Sequence, residues 1–566
     1  MSLSIPQRPM SRDRPGDRVT KGEKARRVHS DLYRVRQTWE PTWREIARFL
    51  APKRGRFDDA EPHERGGRDD AEIYKMTPAR ALRTFSAGLH SGVTNPSRPW
   101  MRLTPGDPDR KEDARVRAWL DDVEKILYRI FARSNLYHVL PSLYTEFGGF
   151  GTSAMIVEED YDTVIRCRPF TVGEYALAQD AAGRVNRFAR KLWMTCDQLV
   201  ERFGYDAVPS RVRQAYDARR FGDWFRVNHL VEPNDGRDTS SKLAREMPWR
   251  NLYWLEGESE GGFLLEGGYE EFPVLAPRWE TVGSSPYGVE SPGWVGIGDA
   301  KMLQTQVEDW LEASDLALHP PVNAPASMQG AGVSLLSGAI NYVPDGMGEG
   351  IRPVGNLGLD LSAAWHGIEA TQQDLREAFF VDLFLMFQGL EGTQRTAREI
   401  VERSTEKLLM LGPMLQRTYS ELLDPLIDRT FAIAWRAGIL PPPPPDMEDE
   451  EIRVEYISVL AQAQKMVGTT SLEQFAGFVG NVAQMHPEAL DKLDVDQLID
   501  EYADALGVPS TITRPDEAVE VLRKARQEQM AQAQAMEMAA QGAKIARDVG
   551  DVKVGPNSAL EAIMPR

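Results

Sequence analysis

Residues 298–318, GDAKMLQTQVEDWLEASDLAL, and 363–387, AAWHGIEATQQDLREAFFVDLFLMF, decide the fold class. In the first, Leu303, Val307, Trp310 or Leu311, and Leu318 recur at helical spacing; in the second, Ile368, Leu375, Phe379, Leu383 and Phe387 do. Both predict long helices with one apolar stripe and many polar positions. Pro320-Pro321 closes the first, since proline lacks the N–H that a helix interior needs. Residues 322–360, between them, are short apolar runs (333–336 and 340–343) among glycines and prolines. After the break Gly389-Leu390-Glu391-Gly392-Thr393, a third helix is expected over 396–437. Its stripe is Leu408, Leu411, Leu415, Tyr419, Leu422 and Leu426, with Pro413 and Pro425 kinking or dividing it.

Outward from this centre, the N-terminal side reads as an α+β body. One helix is expected over 24–50, with Leu32, Val35, Trp39, Trp43, Ile46 and Leu50 inward and Arg34, Arg36, Arg44 and Arg48 elsewhere. Helices follow at 76–93, 116–131, 136–147 and 197–203. Strands are expected at 100–103, 154–158 and 163–169, in a hairpin turning at Ala182-Gly183, and in pieces up to Trp279. On the C-terminal side, Pro441 to Pro445 form a stiff linker. Residues 452–506 read as all-helical, and 515–549 as an Ala/Gln/Met-rich helix that either frays or packs on copies of itself. The whole is α+β, mainly helical.

Composition narrows the function. The chain has 566 residues, 42% of them hydrophobic, and a net charge of −18, enough apolar material for cores and too acidic for a general nucleic-acid binder. The charge is uneven: residues 1–60 hold 15 Lys/Arg against 8 Asp/Glu, and 441–566 hold 11 against 22. The basic start fits either an acidic partner or nucleic acid, or a helix with its arginines in solvent. No stretch approaches the roughly 18 apolar residues of a membrane span. The N-terminus has no apolar core of a secretory signal.

Chemical motifs are missing. No G-x-x-x-x-G-K-[ST] loop, H-E-x-x-H helix or G-x-S-x-G elbow occurs. The 8 histidines are scattered, and Glu158-Glu159-Asp160 and 448–451 lack the glycine of a calcium loop. Gly149-Phe150-Gly151 follows a helix and precedes a strand, the reverse of a dinucleotide fingerprint, so it reads as a tight turn. Cys167, between Arg166 and Arg168, is either a thiolate candidate or a packing residue, and Cys196 reads as buried. No catalytic residue, metal ligand or cofactor is expected.

Three segments in order carry a resemblance: AGLHSGVTNPSRPWMRL (87–103), LYTEFGGFGTSAMIVE (143–158) and RTAREIVERSTEKLLMLGPMLQRTYSELLDPLIDRTFAIAWRAGILPPPPP (395–445). Together they resemble the head-to-tail connecting, or portal, proteins of short-tailed bacteriophages, from about residue 25 to 530. The resemblance implies a portal fold of wing, stem, clip and crown in a twelve-fold ring around a channel. It implies a flexible arm (1–24), wing (25–297), stem helix (298–318), clip (319–362) and second stem helix (363–387). A channel loop (388–395), a long wing helix with proline linker (396–445), a crown (446–514), a barrel helix (515–549) and a flexible tail (550–566) follow.

By the same resemblance the ring conducts double-stranded DNA during packaging and ejection. Its partners would be the terminase large subunit, major capsid and scaffolding proteins, and a tail adaptor or head-completion protein. Its place would be the virion's portal vertex, and the host cytoplasm during assembly. Gln388, Gly389, Gly392, Gln394, Arg395 and Arg398 would face DNA, or form a plain interhelical turn. Leu335, Leu336, Ile340, Tyr342 and Val343 in the clip would dock partners, in part by strand addition. The alternatives are an enzyme of unfamiliar type built on residues 25–297, or another ring or adaptor protein of the virion.

Overall fold

The computed structural model describes residues 21–58, 73–106, 114–258, 262–319, 322–323, 352–353, 360–388, 410–447, 452–506 and 516–550. The channel-loop residues Gly389, Gly392, Gln394, Arg395 and Arg398 and all five clip docking residues lie outside them, as do most of the arm (1–20) and the tail from 551 onward. Contacts divide the chain into Met1–Gln464 and Lys465–Arg566.

The first unit is built on an antiparallel five-stranded meander. Its strands are β4 (Tyr175–Gln179), β5 (Val185–Thr195), β6 (Trp224–Pro233), β7 (Trp249–Leu255) and β8 (Leu265–Tyr269), in that order. Numbered before them are β1 (Met101–Pro105), β2 (Ala154–Asp160) and β3 (Val164–Phe170). The β4–β5 hairpin turns at Gly183, whose φ of +80° suits a residue without Cβ. Alternation gives the sheet two apolar faces. Ala176, Ala189, Leu230 and Leu252 meet Ala25 and Leu32 of α1 (Lys21–Gln37). Met194, Phe225, Val227 and Leu255 meet Leu199 of α6 (Cys196–Phe203) and Val212 of α7 (Ser210–Asp217). A capping box between Thr195 and Gln198 starts α6. Helix α7 was not expected from the sequence, because it is short and mostly polar.

Beside the sheet lie α2 (Glu40–Leu50), α3 (Thr77–Val93), α4 (Ala114–Arg133) and α5 (Leu136–Phe150). Strand β2 pairs with β3 on one side and with β9 (Val274–Leu275) on the other in a second sheet. A short α8 (Pro292–Val295) precedes the long α9 (Ile297–Leu318). Trp43 and Tyr287 are fully buried, 5.0 Å apart edge to face, with Trp39 tilted against both.

The structure corrects three of the expected helices. The helix expected over 24–50 is two, α1 and α2, because the chain turns at Thr38 and Pro41 restarts it. That turn brings Arg36 inward, 6% exposed, where it pairs with Glu40 and donates to the Gly173 carbonyl. The helix expected over 363–387 is also two, α10 (Leu361–Ala378) and α11 (Val381–Gln388), broken at Phe380 with φ of +54°. A left-handed bulky residue costs of order 1–2 kcal/mol; here the break buries Phe379, Val381, Leu383 and Phe384 together. Phe384 lies so close to α3 that a Cβ on Gly88 would fall 2.1 Å from its ring.

The long C-terminal helix is described from residue 410. It runs over 410–418, through a π turn at Tyr419–Leu423, into α12 (Asp424–Arg436). Pro425 sits directly after the π turn, where the helix runs on without a gap, so of the two expected effects, kinking or dividing, the chain is not divided here. The third correction concerns 452–506. Its start, β12 (Ile452–Tyr456), is a strand paired with β1 from Met101↔Tyr456 to Pro105↔Ile452. Helix α13 (Val459–Ala483) follows. In the second unit, α14 (Val495–Leu506) and α15 (Asp516–Gly550) are joined by Arg523, whose guanidinium meets both Asp496 carboxylate oxygens at 2.6 and 2.7 Å.

Candidate channel and docking elements

The stem expectation rests on α9 and α10, and these pack against one another through polar as well as apolar contacts. Asp360 caps α10 by accepting from the backbone N–H groups of Ser362 and Ala363, at 3.1 and 3.0 Å. Trp310 donates its indole N–H to the Leu361 carbonyl (3.3 Å), and the Thr371 hydroxyl donates to Gln306 Oε1 (3.0 Å). Trp310 and Trp365 lie 5.2 Å apart, with Lys75 Nζ 4.9 Å over the Trp365 ring. Buried Gln304 accepts from the Tyr74 and Lys75 amides and donates to the Lys75 carbonyl, each at 2.9 Å. This clasp fixes α9 to the segment before α3. Sequence spacing gave no sign of it, because glutamines carry no periodic signal.

Beyond the pair, β10 (Val322–Asn323) and β11 (Arg352–Pro353) form a short antiparallel ladder. This ladder brackets residues 324–351, which hold the expected docking residues and lie outside the described ones. Gln388 is the last residue of α11, directly before the expected channel loop.

Two properties of α9 set its chemistry. Ala300, Leu303, Gln304 and Val307 are buried, but Leu311 and Leu318, further along the same stripe, are 46% and 76% exposed. The stripe therefore outruns the body that covers its first half. Helix α9 also carries five carboxylates against Lys301, and α10 three against Arg376. Glu308, Asp309, Glu312 and Asp315 are exposed. In α15 every described side chain from Glu520 onward is exposed, including Val521, Leu522, Met530, Met536 and Met538.

Two buried ionisable groups outside these elements have internal roles. Cys167 is buried and its thiol is pushed up to about 12 by desolvation, which resolves the thiolate question in favour of packing. Glu146 is held by Arg54 (3.0 Å), the Thr171 hydroxyl (2.8 Å) and the Val172 amide (3.1 Å), with burial raising its pKa. Gly151 ends α5 at φ +76°, and Trp279 N donates to its carbonyl, so the 149–151 glycines make the expected turn. Among the described residues no cluster of three or more His, Cys, Asp or Glu could hold a metal, and no helix is long and apolar enough to cross a membrane.

Comparison with known proteins bears on the whole chain. Residues 22–513 match the family described as bacteriophage head to tail connecting protein. The chain is 38% identical over 545 residues to the portal protein of Salmonella phage epsilon15, covering 96% of this chain and 98% of that one. It is 40% identical over 529 residues to the probable portal protein of Bordetella phage BPP-1, covering 93% and 94%. A solved chain from the neck of an empty gene transfer agent particle aligns over 73% of this chain and 90% of its own. That alignment has 13% identity and a TM-score of 0.32, too loose to bear on the fold. With the family match spanning nearly the whole body and both phage relatives aligned almost end to end, the chain belongs to the bacteriophage head to tail connecting protein family.

Proposed function

We propose that the chain is a portal subunit that assembles as a twelve-fold ring at one capsid vertex of a phage. The ring conducts double-stranded DNA in during packaging and out during ejection. It offers a platform first to the terminase large subunit and then to a tail adaptor or head-completion protein, among the capsid and scaffolding proteins of the assembling particle. The observation that carries this reading is the near-complete alignment with two phage proteins named as portals.

The exposed continuation of the α9 stripe at Leu311 and Leu318 supports ring assembly, since a head-to-tail interface that closes would cover it. In this reading α9 and α10 are the stem, residues 319–362 the clip and 388–395 the channel loop. Residues 446–514 are the crown and α15 a helix of the C-terminal barrel. Twelve copies carry 12 × (−18) = −216 formal charges. Carboxylates such as Glu308, Glu312 and Asp315, if set along the wall, repel phosphate, so DNA stays centred and free to slide. Persistent phosphate contacts would hold it instead. Work against that repulsion is assigned to the terminase, and the ring to guidance alone.

Negative-stain imaging of the purified full-length protein tests the reading. Rings with a central hole are expected. A compact monomer at all concentrations would overturn it and favour an enzyme built on residues 25–297.

A further inference from the structure

A basic cavity lies against the five-stranded sheet. It has a volume of about 570 Å³ and is lined by Arg36, Arg56, Arg168, Arg190, Lys191 and Arg226. The loop over 53–58 forms one wall: the Arg56 amide donates to the Val172 carbonyl, and its own carbonyl lies where a Cβ on Gly173 would be (2.1 Å). Only glycine at 173, with φ of +92°, allows this approach.

Arg190 is the anchor. It is 3% exposed, its guanidinium lies 4.9 Å over the Phe170 ring, and among the described residues it has no carboxylate partner. Its Nε donates to His229 Nδ1 (2.9 Å) and its Nη2 to the Tyr253 hydroxyl (3.3 Å), leaving Nη1 without a hydrogen bond. His229 is neutral, donating through Nε2 to Asn251 Oδ1 (2.8 Å), so it adds no negative charge. Among the described residues, the Arg56 side chain donates to the Gly55 carbonyl and has no carboxylate partner. The carboxylates nearby are already divided: Glu40 serves Arg36 and Arg44, Glu158 serves Arg168 and Arg202 at 3.7 Å each, and Glu256 serves Lys191 and Arg226. Asp58 and Glu174 also line the space.

A buried, always-charged group without a counter-ion is costly unless an anion completes it. We propose that this cavity binds a phosphate-bearing ligand of nucleotide size, with Arg190 and Arg56 on the phosphates and Phe57 and Trp193 beside the base. Its volume falls in the range of small-ligand sites, and guanidinium groups suit phosphate through paired N–H donors. The phosphate can come from a free nucleotide or from a nucleotide within a single strand.

Calorimetric titration of the full-length protein with inorganic pyrophosphate, dATP and a short oligothymidylate tests it. Saturable binding of pyrophosphate and tighter binding of dATP are expected, weakening as salt rises. Arg56→Ala should weaken dATP by about tenfold or more, and Arg190→Met should abolish it. If Arg190→Met does not fold, Arg56→Ala decides alone. Displacement of dATP by the oligonucleotide assigns the strand as source; failure of displacement assigns the free nucleotide. No binding of pyrophosphate or dATP, or binding unchanged by Arg56→Ala, would overturn the proposal. So would binding seen only in dissociated subunits, which would mean that a neighbouring copy's carboxylates fill the cavity.

Discussion

His29 shows how one residue couples the body to pH. It is 5% exposed, stacks on Tyr33 at 4.9 Å and meets Trp254 edge to face. Burial, and then the charges of Lys191, Arg36 and Arg226, lower its pKa from 6.5 to about 4. A histidine depressed in the folded state is neutral in both states above 6.5, so it contributes no pH dependence there. Below that, the unfolded chain takes up the proton first, and stability falls until the folded state also protonates near 4. The loss from this residue is about 3 kcal/mol. In urea unfolding at fixed protein concentration, His29→Gln should gain on the wild type steadily between pH 6.5 and 4. A constant difference across that window would refute the assignment.

At the scale of elements, a buried ion pair ties the π turn of the long C-terminal helix to the sheets. Arg278 is buried and meets both oxygens of Glu421 at 2.7 and 3.1 Å, while also donating to Gln179 Oε1 and the Gly183 carbonyl. Glu421 sits within the π turn, so the Arg278 guanidinium is its main tie to the sheets, with Arg417 on the helix itself 3.5 Å away. Arg278→Met leaves the half-buried carboxylate short of its main partner and should cost about 3 kcal/mol. Hydrogen exchange should then rise over 419–436 while β5–β7 stay protected. Uniform loss of protection would contradict a local tie. The same scale explains why the stem reading is only half visible in the periodicity. Both stripes were legible, but the break at Phe380 was not, since nothing in FFVD announces a left-handed residue; packing of Phe384 on Gly88 selects it.

For the whole molecule, the proposed roles of the channel loop and clip separate from assembly. Replacing Gly389 and Gly392 together by valine should impair DNA packaging while rings still form. Deleting residues 326–346 should abolish binding of terminase or adaptor, again with rings intact. Normal packaging in the first variant, or retained partner binding in the second, would remove the role from that segment. The acidity of α9 and α10 belongs to this scale as well. Spread over one chain it argues against a protein that grips nucleic acid, but repeated around a channel it suits one that lets DNA pass.

By itself the sequence determined the α+β class, the positions of most helices, the β4–β5 hairpin and the family, because each depends on local periodicity, turn residues or motif order. Tertiary structure alone decided the rest. Met101 and Tyr456 pair across most of the chain, a contact with no local signature, and it turned an expected helix into a strand. Arg36 lies inside rather than in solvent because the turn at Thr38 redirects α1 and Glu40 neutralises the charge. The basic cavity was invisible for the same reason: its cations come from α1, the 53–58 loop and three strands, and only folding brings their charges within reach of one another.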